Sequence, residues 1–121
     1  MIRILIADDN KTYAKVLKAF LNTKKYLKVV GLASSHQETE KMLQDQKPEI
    51  VFISPNLLDS HKAECLNNLR TLIEEPTIFC LLCTFAPSVD KRRVPPFGAD
   101  AIVHKSNARV GMISIIKQYS Q

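Results

Sequence analysis

Two adjacent carboxylates, Asp8 and Asp9, are the residues of this chain whose position best suits chemistry. They follow Ala7 and the run 2–6, IRILI, which is apolar apart from Arg3 and typical of a strand buried on both faces of a parallel sheet. Open α/β sheets place their sites beyond the carboxyl ends of such strands, and two neighbouring negative charges favour a cation there. The alternative is that one carboxylate caps the following helix while the other is solvated.

Five apolar segments separated by helical patterns predict a parallel sheet that is covered by helices on both faces. For a chain of this length we expect a doubly wound, flavodoxin-like α/β fold with strand order 2-1-3-4-5. Ser54, Cys83 or Thr84, and Lys105 would then join the acidic pair at the carboxyl ends of the strands. No glycine-rich loop follows the first strand, which argues against a dinucleotide site or a P-loop. The predicted strands are residues 2–6, 27–33, 50–53, 77–83 and 101–104.

The predicted helices have apolar faces that recur every three to four residues. Asn10 caps the first helix, Ser35 and Glu38 form a capping box before the second, and the third begins at Asp59 or Ser60. Residues 88–94 form at most a turn or two of helix before a Pro-Pro pair. The predicted inward faces are Tyr13, Val16, Leu17, Phe20 and Leu21; Ala63, Leu66, Leu69, Leu72 and Ile73; and, after an Asn107 cap, Val110, Ile113, Ile116 and Tyr119.

The composition of the 121-residue chain, 45% of it hydrophobic, indicates one domain with a proper core. No apolar run reaches the roughly 18 residues of a membrane span, and we expect no secretion signal, because Met1 leads directly into the first strand. The three cysteines include a CxxC, Cys80 to Cys83, which lies inside an apolar strand and is interpreted as packing. We therefore expect a protein of the reducing cytoplasm with no membrane partner. His36, His61 and His104 show no pairing or metal spacing.

The chain resembles a response regulator receiver domain of the CheY-like superfamily over nearly all of residues 1–121. The motifs that carry the resemblance are ILIADDN, KPEIVFIS with Asn56 two residues on, the strand that ends at Cys83–Thr84, and GADAIVHK. The resemblance implies a two-component phosphorelay, in which the acidic pair and an aspartate ending the third strand bind a divalent cation. That aspartate accepts a phosphoryl group from a histidine kinase, while a Ser/Thr and a lysine hold the phosphoryl oxygens.

Ser54 stands where the resemblance places the phosphoacceptor aspartate, so the receiver would be atypical. A hydroxyl is a poor nucleophile unless a base removes its proton. The cation would keep only Asp8, Asp9 and the position of Asn56, which predicts a weak or absent Mg²⁺ site and no other cofactor. The alternative is that the acidic pair makes an internal contact with Lys105.

The other switch positions also depart from the family pattern. Counting from Gly98 places Cys83 at the Ser/Thr position, whereas residue type favours Thr84. Ile102 takes the position of the aromatic residue in the fifth strand. Lys105 matches the lysine, but Ser106 follows it where the family often has a proline, so we expect a trans bond there.

We therefore expect an atypical receiver, or pseudo-receiver, that is not an enzyme and signals by protein–protein contact without standard aspartate phosphorylation. The candidate partners are a sensor kinase, an output domain, or a second copy. The copy would bind through the surface that the family forms from helix 4, strand 5 and helix 5, which are here residues 88–94, residues 101–104 and the helix after Asn107. One alternative is that Ser54 or a neighbour is modified. Another is a basic nucleic-acid-binding module, because the net charge is +5 with a cluster at residues 91–93. Otherwise nucleic acid would be bound only through an attached output domain, and the sequence leaves open whether one follows Gln121.

Overall fold

The computed structural model describes residues 1–59, 61–74, 76–84 and 96–120. The strands are β1 (Ile2–Ala7), β2 (Leu27–Ala33), β3 (Ile50–Ile53), β4 (Ile78–Cys83) and β5 (Ala101–His104). The α-helices are α1 (Lys11–Leu21), α2 (His36–Gln46), α3 (Lys62–Thr71) and α4 (Ala108–Tyr119), and 3-10 turns lie at Pro55–Leu57, Pro96–Gly98 and Lys105–Asn107. The predicted helical turn at residues 88–94 lies outside the described residues.

The five described strands form one parallel sheet in the order β2-β1-β3-β4-β5, which confirms the predicted flavodoxin-like α/β architecture. Successive side chains of β1 alternate between two cores, because strand residues point to opposite faces. Ile4 and Ile6 pack in the core that contains the inner faces of α1 and α4. Leu5 and Ala7 pack in the other core, with Leu43 of α2 and residues of α3. Burial on both faces explains why the strands are apolar runs without alternation.

The inward faces of three helices differ from the predicted ones. Val16 is 46% exposed and Val110 is 66% exposed, while Ala63 is also on the surface. Ala14, Cys65, Ala108 and Met112 are buried near these positions instead. A helix presents only a stripe of its surface to the core, and isolated apolar residues are common outside that stripe. The buried residues are Ala14, Leu17 and Leu21 in α1; Cys65, Leu66 and Leu69 in α3; and Ala108, Met112 and Ile116 in α4.

Two of the predicted helix caps are confirmed. The Tyr13 backbone N–H donates to Asn10 Oδ1 at 3.0 Å, and the Glu38 N–H donates to Ser35 Oγ at 3.1 Å. The Glu38 carboxylate accepts from the Ser34 backbone N–H and, at 2.6 Å, from the Ser34 hydroxyl, so the capping box extends one residue further back than predicted.

One helix start was predicted wrongly, and at another the predicted cap position, Asn107, is right but its side chain makes no cap. Helix α3 begins at Lys62, because the chain after β3 first forms a 3-10 turn and Asp59 Oδ1 then accepts the His61 N–H at 2.8 Å. The Asn107 side chain accepts no capping hydrogen bond within the described residues, since a 3-10 turn leads directly into α4. The sequence does not distinguish these short turns from the first turn of an α-helix.

Candidate functional site

The sheet brings Asp8 and Ser54 to one edge, at the carboxyl ends of β1 and β3. The Asp8 backbone N–H donates to Ala33 O at 2.9 Å, and the Ser54 N–H donates to Ala7 O at 2.8 Å. These bonds extend the strand ladder by one residue and bury both side chains, which are 0% and 1% exposed. Asp9 is exposed beside them. The predicted clustering of these residues follows from strand register alone.

The buried Asp8 carboxylate contacts a lysine from the far strand. Asp8 Oδ2 lies 2.6 Å from Lys105 Nζ, and Oδ1 accepts the Asn10 N–H at 2.9 Å. Within the described residues, Oδ2 accepts no hydrogen bond of ordinary geometry, so its contact with the ammonium is mainly Coulombic. The pair therefore places one positive and one negative charge inside the pocket and balances them.

Tyr13 of α1 completes the surroundings of Lys105. The lysine ammonium lies 5.0 Å from the centre of the Tyr13 ring, and the Tyr13 hydroxyl donates to Lys105 O at 3.1 Å. Burial, and then the charge of Asp8, raises the pKa of Tyr13 above its ordinary value. Sequence reasoning treated Tyr13 only as a core residue, since helical periodicity does not show which side chain reaches the pocket. The Lys105–Ser106 peptide bond is trans, as predicted.

Ser54 acts locally as a helix cap. Its Oγ accepts the Asn56 N–H at 3.3 Å, and its carbonyl oxygen accepts the Leu57 N–H at 3.0 Å. Within the described residues, no imidazole or carboxylate accepts a hydrogen bond from the Ser54 hydroxyl, and Asn56 is exposed. The base that a serine nucleophile requires is thus not found there.

Lys62 fixes the loop that follows Ser54, a role that sequence reasoning missed. Its ammonium donates to the carbonyl oxygens of Pro55, Leu58 and Asp59 at 3.1, 3.2 and 3.4 Å. A lysine one turn after a proline-containing loop is a weak signal in a sequence, because three carbonyls converge only in the folded loop.

Cys83 is the last residue of β4, and it pairs in register with His104 of β5. Cys83 and Ile102 are both half-buried against the core that α2 and α3 cover, whereas Thr84 is exposed. Burial raises the pKa of the Cys83 thiol, and the nearby Lys105 charge offsets part of that effect. The thiol is therefore a neutral group at the strand end near the lysine.

The donor atoms of the pocket do not fit a resident Mg²⁺. No group of three or more His, Cys, Asp or Glu side chains suited to a metal occurs in the described ranges. Asp8 is already neutralised by Lys105, and the end of β3 offers the Ser54 hydroxyl where a third carboxylate would be needed.

The response regulator receiver domain family matches this chain over residues 4–117. The chain belongs to that family. Sensory transduction protein LytT of Bacillus anthracis is 26% identical over 123 residues, which are 100% of this chain and 48% of that protein. Protein-glutamate methylesterase/protein-glutamine glutaminase 3 of Burkholderia thailandensis is 23% identical over 87% of this chain and 29% of its own length. The receiver thus spans about half, or less, of the curated relatives that it matches.

Solved receiver structures share the fold. The signal receiver domain of the response regulator NarL from Mycobacterium tuberculosis superposes with a TM-score of 0.77 at 17% identity, covering 97% of this chain and 94% of that chain. For the response regulator domain of Thermotoga maritima CheB the TM-score is 0.77 at 19% identity, with coverages of 98% and 95%. Together with the family match, these likenesses identify a receiver domain of a two-component system with a CheY-like fold. In the described ranges, no helix has the length and apolarity that crossing a membrane requires.

Proposed function

We propose that this receiver is a pseudo-receiver, which signals by protein contact and not by phosphorylation of an aspartate at the end of β3. One observation carries the proposal: the residue at that position is Ser54, buried and used as a cap for the turn that follows it. An acyl phosphate requires a carboxylate, and a serine ester would lack its high transfer potential. The domain is then a signalling module and not an enzyme.

The charge balance of the pocket supports this interpretation. In a receiver that is phosphorylated, a cation and a lysine would offset the carboxylates and the incoming phosphoryl group. Here the Lys105 ammonium already lies 2.6 Å from Asp8 Oδ2. Mg²⁺ would have to bind with two carboxylates, one of them paired, and so we propose that Asp8, Asp9 and Asn56 form a weak Mg²⁺ site or none.

The switch positions support the same proposal. We assign the Ser/Thr position to Cys83, because it ends β4 beside the strand of Lys105, whereas Thr84 is exposed. A thiol with a raised pKa is a poorer hydrogen-bond donor to phosphoryl oxygens than a hydroxyl. Ile102 offers no aromatic ring to rotate. Neither the Ser/Thr position nor the aromatic position then carries the residue type on which the family's switch depends.

The partner would be another protein of the cytoplasm, namely a sensor kinase, an output domain or a second copy of this chain. The exposed side chains of α4, beside β5, offer a contact surface that includes Val110. A chain in the crystal structure of the P1 domain of CheA3 in complex with CheY6 from R. sphaeroides has a TM-score of 0.78 to this chain at 20% identity. Nucleic acid would be bound through an attached output domain only.

Incubation with a small phosphodonor and Mg²⁺, followed by intact mass measurement, tests the proposal. We expect no added phosphoryl group on the wild-type chain, whereas Ser54→Asp, which restores the carboxylate, should gain one. A stable phosphoryl group on the wild type would contradict the proposal. Its loss in Ser54→Ala would then assign the modification to Ser54.

The nucleic-acid alternative is tested separately. The net charge of +5 is the observation that favours it, since basic proteins bind the phosphate backbone in a salt-dependent way. A mobility shift with mixed-sequence duplex DNA at low salt, lost as salt is raised, would support direct binding. We expect no shift.

A further inference from the structure

A cavity lies between the carboxyl-terminal ends of α2 and α3, at the opposite end of the strands from Asp8 and Ser54. Its lining comes from the last turn of α2, the loop before β3, the end of α3 and the loop before β4. The volume of about 220 Å³ is smaller than the roughly 300–1,000 Å³ of sites for drug-sized ligands. The cavity therefore suits a small metabolite.

One side of the cavity, here called the apolar wall, consists of Leu43, Pro48, Leu72 and Ile73. Leu43 and Pro48 are buried, and the other two are half-buried. The three aliphatic side chains belong to, or pack against, the core that α2 and α3 cover. An apolar group of a ligand would therefore displace water from a surface that is continuous with the core.

Hydrogen bonds hold the two loops of the cavity in place. The Thr77 hydroxyl donates to Pro48 O at 3.0 Å, and the Ile78 N–H donates to Glu49 O at 3.0 Å. The Glu49 N–H in turn donates to Arg3 O of β1 at 2.9 Å. The cavity is thus formed without a ligand, as most small-molecule sites are.

Charges of both signs line the rest of the cavity. Lys47, Glu49 and Glu74 are exposed, and in the described part of the chain none of these three side chains forms an ion pair. Earlier in α2 a carboxylate does have a partner, since Glu40 Oε1 lies 2.7 Å from His36 Nε2. The prediction that this histidine has no pairing was therefore wrong. Opposite charges that border one cavity without meeting each other suit a ligand that carries both signs.

Lys47 has an unusual backbone conformation for its residue type. It ends α2 in the left-handed region, with φ 46° and ψ 60°. Glycine is the usual residue in this conformation at a helix end, and a following proline, here Pro48, favours extended backbone instead. Strain of this kind is concentrated at ligand sites. A lysine in place of a glycine thus puts an ammonium group at the cavity at some cost to folding.

The ends of the two helices add negative partial charge. The last four carbonyl groups of an α-helix have no partner within the helix, so cations are stabilised near them. Both α2 and α3 end at the cavity, and the last turn of α2 contains no basic residue. An ammonium group of a ligand would be stabilised by these ends and by the two glutamates.

We propose that the cavity binds a free α-amino acid with an apolar side chain, such as leucine, isoleucine, valine or methionine. The Lys47 ammonium would bind the α-carboxylate, Glu49 and Glu74 would bind the α-ammonium, and the apolar wall would contact the side chain. The ligand would link the ends of α2 and α3 and so give the domain a metabolite signal. This proposal does not depend on whether Ser54 or an aspartate is phosphorylated.

Isothermal titration calorimetry of the full chain with the four amino acids tests the proposal. We expect saturable binding of L-leucine. Isoamylamine, which is leucine without its carboxylate, and isocaproate, which is leucine without its ammonium, should each bind at least about tenfold more weakly, because hydrogen bonds to charged groups contribute that much. Free glycine should also bind at least about tenfold more weakly, since it leaves the apolar wall uncovered. Binding of none of the four amino acids, or equal affinity for isoamylamine and L-leucine, would overturn the proposal.

Variants that remove one charge assign the contacts. Lys47→Met should weaken L-leucine binding about tenfold. Glu49→Gln should do the same, and it keeps an oxygen to accept the Arg3 N–H, which lies 3.1 Å from Glu49 Oε2. Lys41→Met is the matched control, because Lys41 is an exposed lysine of α2 outside the cavity lining. A Lys41→Met variant that loses as much affinity as Lys47→Met would overturn the proposal.

Lys47→Gly separates binding from folding. Glycine adopts the left-handed conformation without strain, so this variant should unfold at no lower a temperature than the wild type in the absence of ligand. Its affinity for L-leucine should nevertheless be about tenfold weaker, because the ammonium is gone. Wild-type affinity in Lys47→Gly would overturn the proposal.

Discussion

An ion pair lies at each end of the strands, one at their amino ends (here the amino edge) and one at their carboxyl ends (the carboxyl edge). The two pairs differ in how many hydrogen bonds their carboxylate oxygens accept. At the amino edge, Asp100 Oδ2 accepts from Arg70 Nη2 at 3.0 Å and from the Phe79 N–H at 2.8 Å. The guanidinium also donates to Gly98 O at 3.0 Å and lies 4.9 Å from the centre of the Phe79 ring. This network joins α3, β4 and the turn before β5.

At the carboxyl edge, Asp8 is wholly buried, and the oxygen that faces Lys105 accepts no ordinary hydrogen bond within the described residues. A buried pair with incomplete hydrogen bonding contributes little net stability, although losing one partner is costly. A networked pair near the surface contributes modestly, and losing one partner costs less because water can solvate the other. The Arg70–Asp100 network therefore joins neighbouring elements without a buried charge, whereas the Asp8–Lys105 pair buries a carboxylate that depends on its counter-charge.

The largest expected effect is at the buried pair. Lys105→Met would leave the Asp8 carboxylate without a counter-charge, and we expect a loss of about 3 kcal/mol or more in the free energy of unfolding. Adding Asp8→Asn to the Lys105→Met variant should recover much of the lost free energy of unfolding, because the buried charge is then gone. Urea unfolding of the two single variants and the double variant measures the coupling. If Lys105→Met costs less than Arg70→Met, the contrast between the edges is wrong.

A third carboxylate should make the carboxyl edge responsive to a cation. Ser54→Asp would add a buried negative charge beside Asp8 and lower the unfolding temperature in the absence of metal. Mg²⁺ at a hundred times its dissociation constant should then restore about 2.7 kcal/mol. Ser54→Asn, which is similar in size but neutral, should show no such recovery. If Mg²⁺ does not raise the unfolding temperature of Ser54→Asp, the side chain at position 54 does not share a cation site with Asp8.

Breaking the ion pair at the amino edge should lower the free energy of unfolding by less than breaking the buried pair. We expect Arg70→Ala to cost about 1–2 kcal/mol, because the pair is partly exposed and the lost contacts are a few hydrogen bonds and a stacked ring. Arg70→Lys keeps the charge but loses the planar group that lies on Phe79, so its cost should be intermediate. Thermal unfolding in low and high salt would separate the two contributions. A cost that salt abolishes would assign the stabilisation to charge alone.

The smallest effect concerns Tyr13 and depends on pH. Its pKa is raised above the ordinary value of 10.0, chiefly by burial, so the folded state favours the protonated phenol. That stabilisation is present below pH 10 and is lost as the pH rises through the folded-state pKa. Tyr13→Phe should therefore flatten the decline of the unfolding free energy as the pH rises above 10.0, and cost roughly 0.5–1 kcal/mol at pH 7 through the lost hydrogen bond. If the unfolding free energies of the wild type and of Tyr13→Phe decline in parallel with pH, the pKa of the Tyr13 phenol is not raised by folding.

Buried strands and helix caps were predictable from the sequence, whereas the inward faces of the helices were not. Strands buried on both faces must be apolar throughout, so β3 and β4 were recognised from composition alone. Asn10 and Ser35 act within three residues of themselves, and their caps were predicted for that reason. The exposed Val16 and Val110 were misassigned, since periodicity weighs residue type while the surrounding elements decide which stripe of a helix is covered.

The sequence by itself determined the order of elements and the side chains at the strand ends, because both depend on short stretches of chain. It therefore predicted that Asp8 and Ser54 would share one edge of the sheet. It also placed Lys105 there and left open whether the acidic pair meets this lysine or a cation, and the tertiary structure decided which groups are paired. Asp8 meets Lys105 across the width of the sheet, and His36 meets Cys65 from 29 residues away. Such contacts depend on how helices and strands pack, and that packing is a property of the whole chain.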